Sequence, residues 1–121
     1  MRAILAAVLA TVAGTACATQ IDWTKAPPSD WPEMDRVTII VRSQAELEDR
    51  CSGVKQGAGM LRGCAFVRFC ERTCFMVWPY WADQSTKEHE VGHCQGYDHI
   101  GEDTMRRAWA NHKAKGELAC R

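Results

Sequence analysis

Residues 89 to 99 read HEVGHCQGYDH and hold three of the four histidines in the chain. His89, Glu90, His93, Gly96 and His99 occupy every fixed place of the pattern H-E-x-x-H-x-x-G-x-x-H. On a helix, His89 and His93 share one face, about 6 Å apart along the axis. Glycine can take a positive φ, so Gly96 can turn the chain and return His99 towards the other two. Three neutral imidazoles suit one zinc ion and leave its fourth position open to water. Glu90, roughly 100° further round the helix, supplies a carboxylate able to accept a proton from that water. The chemistry implied is hydrolysis, with Glu90 as the catalytic base and His89, His93 and His99 as metal ligands.

The elements around the motif must hold it. Ser85 and Glu88 form a capping-box pair, which predicts a helix starting just before His89 and running to about Gln95. Val37–Val41 is β-branched and reads as a buried strand. Ser43 and Glu46 predict a short helix from about Gln44 to Cys51, stopping at Gly53. Gly53, Gly57, Gly59 and Gly63 mark a loop. Cys64–Cys70 and Thr73–Trp78 read as two strands of a tight hairpin, the second ended by Pro79. A last helix is expected over Asp103–Lys115, with Met105, Ala108, Trp109 and His112 on one stripe. The fold class is therefore α+β: a small antiparallel sheet of about three strands, with the site helix and a C-terminal helix packed on it.

The chain has 121 residues, enough for one domain. Arg2 followed by the apolar run Ala3–Ala13 and a string of small residues reads as a signal peptide over residues 1–18. Two processing routes are open. Ala16-Cys17-Ala18 allows cleavage before Thr19, and Gly14-Thr15-Ala16-Cys17 resembles a bacterial lipobox that would lipidate Cys17. Residues 19–36 form an extended arm rich in proline, either a tether or a segment packed through Trp23 and Trp31. Residues 37–121 are the domain proper.

Apart from Cys17, six cysteines remain: Cys51, Cys64, Cys70, Cys74, Cys94 and Cys120. An even number in a small exported domain suggests up to three disulfides, with the pairing open. Cys70 and Cys74 could face each other across the hairpin or pair elsewhere. Cys94 is expected to anchor the site helix. Basic and acidic residues number 15 each, without blocks of one sign. That balance points away from nucleic acid, and from any membrane partner except a lipid at Cys17.

At His89–His99 the chain resembles the metzincin clan of zinc endopeptidases. It is also similar to short exported zincin-like proteins of bacteria and their phages. The resemblance covers about residues 73–99. It implies one zinc ion on His89, His93 and His99, Glu90 as general base, and a turn at Gly96. It further implies a peptide or protein substrate added as a strand along an edge within Thr73–Trp78. The chain is shorter than the clan's catalytic domains and has no methionine turn well downstream. Met105 reads as a core residue of the last helix. A non-catalytic zinc-binding module and a zinc amidase acting on cell-wall peptides are the alternatives the motif allows, and a periplasmic or secreted location follows from the export signal.

Other side chains are secondary candidates. Tyr80 and Tyr97 could donate a hydrogen bond to a tetrahedral intermediate, but packing is the expected role of each. Asp98 is expected at the surface or behind a ligand, His112 as an ordinary helix residue, and Trp78 and Trp81 in the core.

Overall fold

The computed structural model describes residues 26–54 and 60–121. Residues 1–18, where a signal peptide is expected, together with Cys17, Trp23, Gly57 and Gly59, lie outside the described residues. The elements run β1 (Asp35–Val41), α1 (Gln44–Arg50), β2 (Cys64–Arg68), β3 (Thr73–Pro79), α2 (Gln84–Cys94), α3 (Thr104–Lys115) and a 3-10 helix over Gly116–Cys120. The fold is α+β, with a three-stranded sheet in the order β1-β3-β2.

The sheet is mixed where a wholly antiparallel one was expected. β2 and β3 form the hairpin, and β1 lies parallel to β3. The connection from β1 to β3 runs through α1 and the hairpin, long enough to bring the chain back in the same sense. β3 is thus the central strand, not an edge. β1, expected to be buried, is instead an edge strand: Val37 and Ile40 are exposed and only Val41 is fully buried. Its β-branched residues satisfy strand propensity without being covered.

Alternation along β3 sends side chains to two layers. Val77 meets Val41, Leu47, Cys51 and Cys64 on the α1 side. Cys74, Met76 and Trp78 join Ala65 and Cys94 on the α2 side. Of the three disulfides, Cys51–Cys64 lies in the first layer, Cys74–Cys94 in the second, and Cys70–Cys120 outside both. Cys70 and Cys74 therefore pair elsewhere, because Cys74 points inward to α2 while Cys70 sits on the exposed turn. Cys94 anchors the site helix, as expected. Such bridges suit an oxidising environment. Among the described residues, no helix is long and apolar enough to cross a membrane.

Helix starts follow local chemistry. Ser43 Oγ accepts from Glu46 N at 3.1 Å, while Glu46 accepts from Arg42 N rather than from the cap itself. For α2 the cap is Asp83, not Ser85: its carboxylate accepts from Thr86 N at 2.8 Å. Aspartate at that place satisfies the N3 amide two residues earlier than the serine would.

The arm packs onto the domain over its described part. Trp31 Nε1 donates to the Cys94 carbonyl at 2.9 Å, and its ring meets Phe69 and Trp109 edge-on. The Asp30 carboxylate accepts from Trp109 Nε1 and pairs with Lys113. Trp78 is core, but Trp81 is half exposed and its ring meets that of Tyr80 in a T-shape. This corrects its expected core role: the Tyr80–Trp81 turn leaves the sheet before reaching either layer.

The Cys74–Cys94 bridge closes a loop of 20 residues between the central strand and the site helix. Replacing both cysteines by alanine should lower unfolding stability by about 3 kcal/mol, the chain-entropy figure for such a loop. Urea denaturation followed by circular dichroism checks this. An unchanged midpoint would contradict the anchoring role.

Candidate metal centre

α2 presents His89 and His93 on one face, one turn apart. The helix ends in a Schellman pattern: Gly96 N donates to the His93 carbonyl at 3.0 Å, and Tyr97 N to the Gly92 carbonyl at 3.1 Å. Gly96 takes φ +93°, and a Cβ there would lie 2.6 Å from the Trp31 ring. Only glycine meets both demands. The chain reverses and His99 comes back over the helix.

The three imidazoles converge through their Nε2 atoms. His99 Nε2 lies 2.7 Å from His89 Nε2 and 3.1 Å from His93 Nε2. Donor nitrogens around a tetrahedral zinc ion stand roughly 3.3 Å apart, from bonds of about 2.0 Å. The outer nitrogens are held. His93 Nδ1 donates to the Tyr97 carbonyl at 2.9 Å, and His99 Nδ1 to the Glu102 carboxylate at 3.0 Å. Because a carbonyl can only accept, His93 carries its proton on Nδ1 and turns a lone pair inward. Burial, followed by the neighbouring His93 and His99 rings, pushes His89 down to about 4. Burial also lowers His93. Both rings are therefore neutral at pH 7, the form that ligates metals. The group can hold a metal ion.

Glu90 lies beside them, 4 % exposed. Its Oε2 has no hydrogen-bond partner among the described residues. Burial pushes its carboxyl up to about 8. A buried carboxyl with an unused oxygen next to three converged ring nitrogens fits a site built around a cation and a water molecule. Gly63 permits the approach: a Cβ there would meet the Val77 carbonyl at 2.9 Å and Glu90 Oε1 at 3.3 Å.

A cavity of about 540 Å³ opens over these groups. One wall is β2 with the residues before it, including Gly63, Ala65 and Val67. The other comes from α3, with Thr104, Met105 and Ala108. Met105 is buried, as expected, and reaches the cavity as well. The strand beside the histidines is thus β2. Thr73–Trp78 lies inside the sheet and has no free edge to offer a peptide.

Asp98 is buried, not at the surface. Its carboxylate accepts from Met105 N at 2.7 Å and Arg106 N at 3.1 Å, capping α3 from the residue before His99. Tyr80 is 69 % exposed and does not line the cavity, which removes it from the site. The Tyr97 side chain does not line the cavity either, although its carbonyl orients His93. His112 stacks on Trp109, close to Cys70 and Cys120 and apart from the triad. Glu102 escaped the reading of the motif. The spacing His99-x-x-Glu102 on a turn was the available signal.

No family model matches the chain, and neither a curated protein nor a solved structure shows significant similarity to it.

Glu102→Ala removes the outer partner of His99 and no core contact. Metal affinity should fall about 10- to 100-fold, while the melting temperature of the metal-free protein stays unchanged. Competition with a chromogenic chelator measures the first and calorimetry the second. Equal affinity in both proteins would show that Glu102 does not support the ligand.

Proposed function

We propose that the chain is an exported, metzincin-like zinc peptidase. The supporting observation is the meeting of three inward Nε2 atoms, in one open cavity, with a buried Glu90 whose Oε2 has no hydrogen-bond partner among the described residues. Zinc is the ion of choice, because three imidazoles with one open position match its catalytic preference. Held there, it supplies Lewis acidity that lowers the pKa of a water molecule. His89, His93 and His99 are the ligands, and Glu102 and the Tyr97 carbonyl orient two of them.

Glu90 accepts the proton of the attacking water and later returns it to the leaving amine. Its raised pKa in the metal-free site reflects burial alone; a dication a few ångströms away favours the carboxylate and restores the basic form. An extended peptide would lie along β2, whose outer edge borders the cavity, and add as a fourth strand. Ala65, Val67, Met105 and Ala108 offer an apolar surface to a side chain beside the scissile bond. The export reading rests on the residues 1–18, with lipidation at Cys17 or simple cleavage as its two routes.

Glu90→Gln should retain zinc and lose hydrolysis by about 10²- to 10⁴-fold, because an amide can hold water but cannot accept its proton. Elemental analysis and turnover of a quenched-fluorescent peptide library read the two effects. Wild-type turnover in the variant would refute the assigned base. Stoichiometric zinc without cleavage of proteins or cell-wall peptides would favour a non-catalytic zinc module, and release of cell-wall peptides alone would favour the amidase.

A further inference from the structure

We propose that Cys70, His112 and Cys120 form a second, sulfur-rich metal site that becomes available when their disulfide is reduced. The inference stands apart from the histidine triad and does not depend on it.

The three bridges differ in access. Cys51, Cys64, Cys74 and Cys94 are at most 3 % exposed and belong to the two core layers. Cys70 and Cys120 are exposed. Cys70 lies on the hairpin turn, and Cys120 closes a 3-10 helix that buries no residue. Thiol–disulfide exchange needs a thiolate to reach a bridge sulfur, so access orders the three. A dithiol reductant opens Cys70–Cys120 first. It gives up two electrons and two protons, leaves as its own disulfide, and converts Cys70 and Cys120 to thiols.

His112 already stands at this point. One of its ring nitrogens and the two sulfurs lie within 4.8 Å of one another. The ring is held between aromatic neighbours, 5.1 Å from Phe69 and stacked 5.7 Å from Trp109, centroid to centroid. Bonds of about 2.3 Å to sulfur and about 2.0 Å to nitrogen put tetrahedral donors roughly 3.5–3.8 Å apart. Once the covalent bond is gone, the sulfurs have to part by roughly 1.5–2 Å, and the imidazole nitrogen, at most 4.8 Å from either, has no more than about 1.3 Å to close. Binding sends both thiol protons to solvent. Two thiolates and one imidazole select a zinc-class ion over magnesium or calcium, as the all-nitrogen triad also does. The metal then ties the 3-10 helix to the hairpin turn as the disulfide did, so the covalent clasp and the metal clasp are alternative states of one contact.

Cobalt(II) is the probe, added anaerobically to the full chain carrying Cys17→Ser, which removes the one cysteine outside the three bridges, before and after brief dithiol treatment and removal of the reductant. The oxidised protein should show no thiolate-to-cobalt charge-transfer absorption. The reduced protein should show it, with one further cobalt per chain, and alkylation should label only Cys70 and Cys120. His112→Ala should weaken the added cobalt at least about 10-fold. Replacing Cys70 and Cys120 by serine should abolish the absorption while leaving the cobalt content of the oxidised protein unchanged. Reduced wild type without the absorption, equal labelling of the four core cysteines, or an unweakened second cobalt in His112→Ala would each overturn the proposal. A cobalt-free oxidised protein that gains the absorption on reduction would support it while defeating the triad reading.

Discussion

The turn at Gly96 is where the architecture is least free to vary. A backbone φ of +93° places the chain in a region that side-chained residues seldom enter, and the Trp31 ring fills the space a Cβ would need. Trp31 in turn is fastened to the Cys94 carbonyl at the end of the same helix. One aromatic ring from the arm thus backs the reversal that returns His99 to His89 and His93. The Schellman bonds stop α2 there, and Asp98, two residues further on, transfers the strain-free continuation to α3 by capping its amides. Helix end, third histidine and next helix start all fall between Cys94 and Thr104.

The site also depends on a sheet whose two faces do different work. The α1 face is closed by Leu47, Val41 and the Cys51–Cys64 bridge. The α2 face carries the histidines, and its helix is bolted to the central strand by Cys74–Cys94. Glu90 enters this packing with one carboxyl oxygen, Oε2, that no hydrogen bond satisfies among the described residues. Burying a carboxyl in this way costs stability unless it is neutral or faces a cation. In a domain this small, cross-links help offset such a group, because the apolar core alone is limited.

Bridges buried in the core and a bridge on the surface have separate consequences. The buried pairs hold elements in register where no reagent reaches them. The Cys70–Cys120 pair holds a segment with no core of its own, beside an imidazole and within reach of solvent. Its environment, rather than its covalent geometry, distinguishes it.

Much of this was open to a reader of the residues alone. Helical periodicity puts His89 and His93 on one face in any fold, and glycine at position 96 permits the turn, because both follow from local backbone geometry. Three strands, three helices and the anchoring of Cys94 were legible for the same reason. Tertiary structure decided the rest. Parallel pairing of β1 with β3 placed Thr73–Trp78 at the centre of the sheet and left β2 beside the cavity, since strand order depends on contacts far apart in sequence. Asp83 displaced Ser85 as the cap, two local signals in competition. The exposure of Ile40, the burial of Asp98, the pairing of Cys70 with Cys120 and the reach of Glu102 to His99 depend on which surfaces meet, and that is settled only when the chain packs.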